Sequence, residues 1–168
     1  PADRLLGVVN TAQATVQGAP LLLFVRDDVL LQPGAVRALV TEVFRSNAAI
    51  VGPKLVDADD PGLLVDVGGA IDHYATPFNP IEPGERDQEQ HDAVRDVFAV
   101  SLRACMVRAD LLATLGGVDV ACGPAADVDL GWRARLVAAP VLVVPDAVGH
   151  VVAGQAPRSE EHTSELQS

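Results

Sequence analysis

Continuous apolar runs alternate along this chain with segments whose apolar positions recur at helical spacing. The runs at 21–25, "LLLFV", and 48–56, "AAIVGPKLV", have the length of strands and are typical of strands buried on both faces of a parallel sheet. Between them, residues 32–46 place Pro33 near a helix start and repeat apolar side chains on one helical face. This order predicts an α/β fold, a three-layer α/β/α sandwich with a mostly parallel sheet.

The second half of the chain continues the alternation. Residues 96–108 are predicted to be mostly extended, 109–117 to form a short helix ended by a Gly pair, and 127–139 to form a longer helix. A strand over 140–146 is predicted to end at a turn. The segment 74–92 contains three prolines and many charges, which predicts a long irregular surface loop.

Composition narrows the class of protein. With 168 residues, of which 49% are hydrophobic, the chain can form one globular domain or a large piece of one. A formal net charge of -11 without a basic stripe argues against nucleic-acid binding. Cys105 and Cys122 lack the spacing of a disulfide framework or a zinc site, so a reducing compartment is expected. The most apolar stretch, 136–154, is interrupted by prolines and predicts neither a membrane span nor a signal peptide.

The end of the chain differs in character from the rest. Residues 158–168, "RSEEHTSELQS", are polar and aperiodic, and they look like the in-frame translation of a sequencing-library adapter. We therefore treat them as a non-native tail and assign the domain to residues 1–157.

Two adjacent carboxylates, Asp27 and Asp28, directly follow the first apolar run in "VRDDV". Ligands of open α/β sheets gather at the carboxyl ends of strands, which makes the pair a candidate for the mouth of a site. An arbitrary pair of this kind is more often a solvated turn. The functional interpretation therefore depends on what else the chain contains.

Three further stretches carry candidate chemistry. "LLGVVNTAQATVQGAP" resembles an amphipathic helix with Asn10 near its start, "ADVDLGWRAR" opens a predicted helix with Asp127 and Asp129, and "VVPDAVGHV" presents His150. Each has an ordinary explanation by itself, because acidic residues in a first turn are common partners of the helix dipole and a lone histidine is usually packed or solvated. Their order along the chain raises the functional interpretation.

Taken in order, these motifs resemble a bacterial family 2 glycosyltransferase of the GT-A fold. "VRDDV" is similar to the family's D-x-D-like motif, "VGPKL" to a stretch of bacterial members, and "LGGVD" and "ADVDLGWRAR" to the "GGFD" and "EDVDLCWRA" signatures. The resemblance covers roughly residues 1–154 and implies that the first strand and helices of the nucleotide-binding half lie upstream of Pro1. A domain truncated in this way is expected to be inactive alone.

The resemblance implies a hexosyltransferase-like enzyme that moves a sugar from a nucleotide-sugar donor to a glycan or lipid-linked acceptor, with inversion and with Mn²⁺ or Mg²⁺. Asp28, at the last position of the D-x-D-like motif, and His150 match the family's metal ligands. Carboxylate oxygens suit both ions, and an imidazole is more compatible with Mn²⁺. Asn10, Arg26 and Asp27 match positions that bind the donor.

The family's catalytic base matches Asp127, and its acceptor side matches Trp132 and Asp129. For Asp129 the alternative is that it orients the helix rather than contacting the acceptor. A positioned carboxylate can take the proton of the attacking hydroxyl. Two residues depart from the pattern. Arg26 stands where Asp or Asn is usual, so its guanidinium would repel a metal or bind the diphosphate directly. Ala126 stands where the family has a Glu.

Two other functions stay open at this point. A catalytically degenerate GT-A domain that acts as a binding or scaffolding module in cell-envelope polysaccharide assembly is favoured by Arg26 and Ala126 and opposed by the retention of Asp28, Asp127 and His150. A sugar nucleotidyltransferase would need a Gly-rich phosphate loop near its N-terminus. The resemblance also implies a cytoplasmic location, at the cytoplasmic face of a membrane that other parts of the parent chain would contact.

Overall fold

The computed structural model describes residues 10, 11, 15, 18–74 and 76–152. They form a mixed α/β unit with one large sheet and few helices. The strands are β1 (Leu21–Val25), β2 (Val29–Leu31), β3 (Ile50–Asp57), β4 (Leu64–Asp66), β5 (Ala70–Ile71), β6 (Pro77–Phe78), β7 (Arg95–Asp96), β8 (Ala104–Arg108) and β9 (Val141–Val151). The helices are α1 (Ala35–Ser46), α2 (Ala109–Thr114) and α3 (Ala126–Leu136), with a 3-10 segment at Val120–Ala125.

The large sheet has the strand order β1-β8-β3-β9-β2, with β4 beside β3 and β7 beside β9. In the described part of the chain, β3 and β9 pair in parallel and every other strand pair is antiparallel. The prediction of a mostly parallel sheet is therefore wrong. Burial on both faces is found for β3, where covering both faces of the sheet produces it whatever the direction of the strands. It is not found for β1, where Leu23 is 36% and Val25 40% exposed.

Apolar side chains of β3 alternate between two cores. Ile50 packs in a cluster with Leu112 of α2 and Leu130 of α3, whereas Val51 packs in a cluster with Leu39 of α1. All five side chains are at most 2% exposed. Helices thus pack on both faces of the sheet, which explains why β3 reads as an unbroken apolar run.

β9 corrects the prediction that this strand ends at Pro145 and Asp146. The strand continues to Val151, but its pairing with β3 is irregular: Pro53 of β3 pairs with Val144, and the next β3 residue, Lys54, pairs with Val148. The intervening residues form an irregularity that absorbs the proline, which has no N–H to donate to the ladder. The extension carries the end of β9 alongside β2.

Segment 74–92 is irregular over most of its described length, as predicted, yet it is fixed to the body of the protein. Lys54, on β3, is 7% exposed, and its Nζ donates hydrogen bonds to Asp87 at 2.6 Å and Asp92 at 2.7 Å. These ion pairs anchor the last part of the segment to the sheet.

Some predictions fall largely outside the part of the chain that the structure describes. The helix-like stretch at 5–20 is represented by only a few described residues, and the tail at 158–168 by none. Within the described residues, no helix combines the length and the hydropathy needed to cross a membrane.

Candidate active site

Asp27 and Asp28 lie in the turn between β1 and β2. Asp27 is exposed, and the carbonyl of Asp28 accepts a hydrogen bond from the N–H of Val152 at 2.8 Å. The Oδ2 atom of Asp28 lies 3.1 Å from Nη2 of Arg26 and 3.9 Å from Nε of Arg103. The carboxylate predicted to bind a metal is therefore paired with two guanidinium groups.

His150 lies on β9 opposite Leu30 of β2. The side-chain amide nitrogen of Gln32 lies 2.8 Å from its Nε2 atom. Among the residues that the structure describes, His, Cys, Asp and Glu side chains form no group of three or more that could hold a metal ion.

The donor set at Asp28 does not fit a divalent cation. Its Oδ1 atom is buried and has no hydrogen-bond partner, while its Oδ2 atom faces Arg26 and Arg103. Mn²⁺ and Mg²⁺ need several oxygen or imidazole ligands, and one free carboxylate oxygen beside two cationic groups does not supply them. Metal binding by Asp28 and His150 stays a prediction.

A second polar region surrounds a cavity of about 340 Å³. Asp127 lines it from the first turn of α3, and Asp66 lines it from the last position of β4. Asn79 and Ser101 add polar side chains, and Phe78 adds an aromatic ring. The predicted base thus lies in a cavity together with a second carboxyl group.

Both carboxyl groups of this cavity have surroundings that favour the protonated form. Burial raises the pKa of Asp127, against a hydrogen bond of 2.8 Å from the N–H of Val128. Burial also raises the pKa of Asp66, and the charge of Asp127 raises it further. The N–H of Gly68, at 2.8 Å, and the charge of Arg103 act in the opposite direction on Asp66. Perturbed carboxyl groups in a cavity are typical of functional sites.

Arg103 connects the two polar regions. Its Nε atom lies 3.9 Å from Asp28, and its charge also acts on Asp66. Asp28 and Asp127 therefore belong to one continuous array of charged groups. Arg103 and Asp66 were not predicted as site residues, because Arg103 lies in a segment predicted only as extended and the only local signal at Asp66 is the following pair Gly68 and Gly69.

Asp129 does not line the cavity, although the sequence assigned it to the acceptor side. Its carboxylate accepts a hydrogen bond from Nη2 of Arg133 at 2.5 Å. Arg133 in turn donates from Nη1 to the carbonyls of Leu115 at 2.7 Å and Gly117 at 2.9 Å. Asp129 thus orients Arg133, which fastens the loop that contains Gly116 and Gly117 to α3.

Trp132 is likewise outside the lining of this cavity. It is 46% exposed, and its ring contacts the edge of Phe98 at a centroid distance of 5.8 Å. The neighbouring Gly131 lies so close to the same residue that an added Cβ would overlap the carbonyl oxygen of Phe98. Glycine in "DLGWR" thus allows α3 to lie directly on the backbone beside it.

Asn10 binds the loop that follows Gly116 and Gly117. Its Nδ2 atom donates to the carbonyl of Val118 at 2.7 Å, and its Oδ1 atom accepts from the N–H of Val118 at 2.9 Å. These bonds fix the loop, and the assignment of Asn10 to donor binding stays a prediction.

Neither the family models nor the curated proteins include a match to this sequence. Among solved structures, the fold is similar to that of GalNAc-T7 in its crystal structure with UDP, GalNAc and Mn²⁺. The TM-score is 0.66 and the identity 12%, over 88% of this chain and 30% of that chain. The chain has the fold of a GT-A glycosyltransferase. It spans 30% of that neighbour's length, and membership of family 2 and a bacterial type stay predictions.

Proposed function

We propose that the chain is a glycosyltransferase domain that moves a sugar from a nucleotide-sugar donor to a hydroxyl group of a glycan or lipid-linked acceptor, with inversion. The observation that carries the proposal is Asp127, which lies in the family-like "ADVDLGWRAR" and lines a cavity where burial raises its pKa. A raised pKa makes a carboxylate a stronger general base. The likeness to a structure with UDP and GalNAc supports this class of donor.

In the proposed step, the acceptor oxygen forms a bond to the anomeric carbon while the bond from that carbon to the diphosphate oxygen breaks. The electron pair of the broken bond leaves with the nucleoside diphosphate, and the hydroxyl proton moves to the Asp127 carboxylate. Attack and departure on opposite faces invert the anomeric carbon. Arg26 and Arg103 supply positive charge for the leaving diphosphate.

A divalent cation has weaker support than the base. Mn²⁺ is present in the GalNAc-T7 structure, which supports a metal in this fold. The described residues around Asp28, however, do not assemble a cation site. The proposal therefore assigns no step to a metal.

The test follows nucleotide release from a panel of UDP-, GDP- and dTDP-sugars by the full natural chain without the tail at 158–168, with and without Mn²⁺. We expect release with one donor and a loss of about 10²- to 10⁴-fold in the Asp127→Asn variant, the usual contribution of a general base. Asp110→Asn, an equally conservative change on α2, is the matched control and should not alter the rate.

Each outcome of this test has a distinct meaning. Release that is lost on chelation would establish a metal requirement, whereas release that survives chelation would assign the diphosphate to Arg26 and Arg103. Silence with every donor in the presence of acceptor extracts, while UDP still binds in calorimetry, would contradict the proposal. That result would support a degenerate binding module in polysaccharide assembly.

A further inference from the structure

Asp66 and Asp127 line the same cavity, which suggests how the acceptor sugar binds. This inference rests on the proposed function. We propose that Asp66 is an acceptor-binding carboxyl group that holds a hydroxyl of a neutral sugar opposite Asp127. The two side chains come from different elements, the end of β4 and the start of α3, and they line one cavity.

The carboxyl group of Asp66 is held in place by its own turn. Its Oδ1 atom accepts a hydrogen bond from the N–H of Gly68 at 2.8 Å. Gly68 has a φ of +94°, and an added Cβ would lie 2.7 Å from Val97 and 2.8 Å from Val143. The turn therefore requires glycine, and the packing around it fixes the direction of the carboxyl group as a preformed binding site requires.

The rest of the lining suits a sugar. The volume of about 340 Å³ lies within the usual range of small-molecule sites. Phe78 is 49% exposed, so its ring presents an apolar face to the C–H face of a pyranose. Asn79 donates to the carbonyl of Val65 at 3.1 Å, which orients its amide, and Ser101 adds a hydroxyl.

The charges around the cavity favour a neutral acceptor. The charged groups that act on Asp66 are Asp127 from α3 and Arg103 from the segment before β8. Cys105, near Asp127, stays a neutral thiol, because burial raises its pKa to about 12. A uronate or phosphate on the acceptor would face two carboxyl groups in this cavity, and like charges at short range disfavour ionisation of both.

Burial and the charge of an ionised Asp127 both raise the pKa of Asp66, so they favour the protonated form of Asp66 beside the Asp127 carboxylate. In that state Asp66 can donate a hydrogen bond to a hydroxyl oxygen, while the Asp127 carboxylate can accept the hydroxyl proton. Of these two similar side chains, one thereby donates a hydrogen bond to the acceptor sugar and the other accepts a proton from it.

Saturation-transfer NMR tests this inference without turnover. The full natural chain, with UDP present, is mixed with the methyl glycosides of glucose, galactose and mannose or with the methyl glycosides of the corresponding uronic acids, whose carboxylates are free. We expect at least one neutral glycoside to bind about tenfold more tightly than its uronate. Asp66→Ala should weaken that binding about tenfold, the effect of one lost hydrogen bond in a buried site. Asp66→Asn keeps a donor and should lose less, and Asp146→Ala, an exposed change on β9, is the control.

A pH series separates this role from a structural one. Binding to the unaltered protein should weaken as the pH rises and Asp66 ionises, because the ionised group cannot donate a hydrogen bond. The Asp66→Asn variant should lack this dependence. If Asp66→Ala fails to fold, this comparison alone decides the question.

Equal binding of glycoside and uronate, no binding of any glycoside, or unchanged binding in Asp66→Ala would overturn the inference. Nucleotide release in the same samples distinguishes it from the proposed function. Release with an unaltered acceptor KM in Asp66→Ala would contradict only the role of Asp66. Glycoside binding that depends on Asp66 without release from any donor would contradict only the transferase.

Discussion

Two groups of carboxylates belong to the same array of charges, and the fold treats them differently. At the β1–β2 turn, Asp28 is paired with Arg26 and Arg103. In the cavity, Asp66 and Asp127 are half-buried, their hydrogen bonds come from backbone N–H groups, and their pKa values are raised. Residues of one type thus differ in their partners: guanidinium groups at the turn, and backbone N–H groups in the cavity, where the surroundings favour the protonated form.

The comparison also indicates where the stability of each region comes from. Burial disfavours the charged forms of Asp66 and Asp127, so these carboxylates do not stabilise the fold when they ionise. The walls of the cavity therefore depend on backbone packing and on contacts behind them. Gly131 on Phe98 and Arg133 on the carbonyls of Leu115 and Gly117 provide such contacts. Substitutions at the close helix contact, at a buried ion pair and at a cavity carboxyl group should affect stability in that decreasing order.

Substitution of Gly131 by alanine should have the largest effect. Alanine favours a helix over glycine by about 1 kcal/mol, but the added Cβ overlaps the carbonyl oxygen of Phe98. We expect a net loss of about 3 kcal/mol in the free energy of unfolding, measured by urea denaturation, because α3 must move away from the backbone at Phe98. Leu136→Ala, at an exposed position of the same helix, is the control, and a stabilised Gly131→Ala protein would contradict the close approach.

Replacement of Lys54 by methionine should have an intermediate effect. The change leaves Asp87 and Asp92 without their cation at a site where the lysine side chain is 9% exposed. We expect a loss of about 2 kcal/mol in the free energy of unfolding, less than for a fully buried pair because Asp92 is 48% exposed.

The matched control for Lys54 is Arg86→Met, which breaks an exposed ion pair with Asp60 in the same part of the chain. Exposed pairs contribute about 0–1 kcal/mol. Equal losses in the two variants would show that the Lys54 pairs do not anchor the segment.

The smallest effect concerns the pH dependence of stability. The pKa of Asp66 is raised in the folded state, so the folded protein holds this proton more tightly than the unfolded chain. Stability should therefore fall as the pH rises from the ordinary pKa of an aspartate through the raised one. Asp66→Asn should remove this contribution, which urea denaturation between about pH 4 and pH 8 can detect.

Asp110→Asn should change the pH dependence of stability in the opposite direction to Asp66→Asn. Hydrogen bonds from Arg108 lower the pKa of Asp110, so its contribution is present above the ordinary aspartate pKa and is lost as the pH falls through the lowered one. If both variants changed the pH profile in the same direction, the contrast between paired and cavity carboxylates would be wrong.

The pattern of apolar residues along the chain correctly predicted several strands and helices. The apolar run at 21–25 is β1, because a short unbroken apolar run has the length of a strand. The segment after it contains α1, because a helix covered on one side repeats its apolar residues at helical spacing. Strand direction was mispredicted, since burial on both faces does not report it. The extent of β9 was underestimated because an irregularity can absorb Pro145.

The candidate site was predictable only where a motif names a residue. Asp127 was found through its resemblance to a family signature, but its burial in a cavity depends on β4 and the β5–β6 pair, which are remote in sequence. Asp66 and Arg103 have no motif of their own, and their roles arise from long-range contacts.

The cavity has one rigid wall and one that is more loosely attached. α3 lies directly on the backbone at Phe98, whereas β5 and β6 form a separate two-stranded sheet, joined to the body by the bridge between Gly69 and Ala99 and by Asn79. A bulky ligand should therefore displace the hairpin more readily than the helix that carries Asp127.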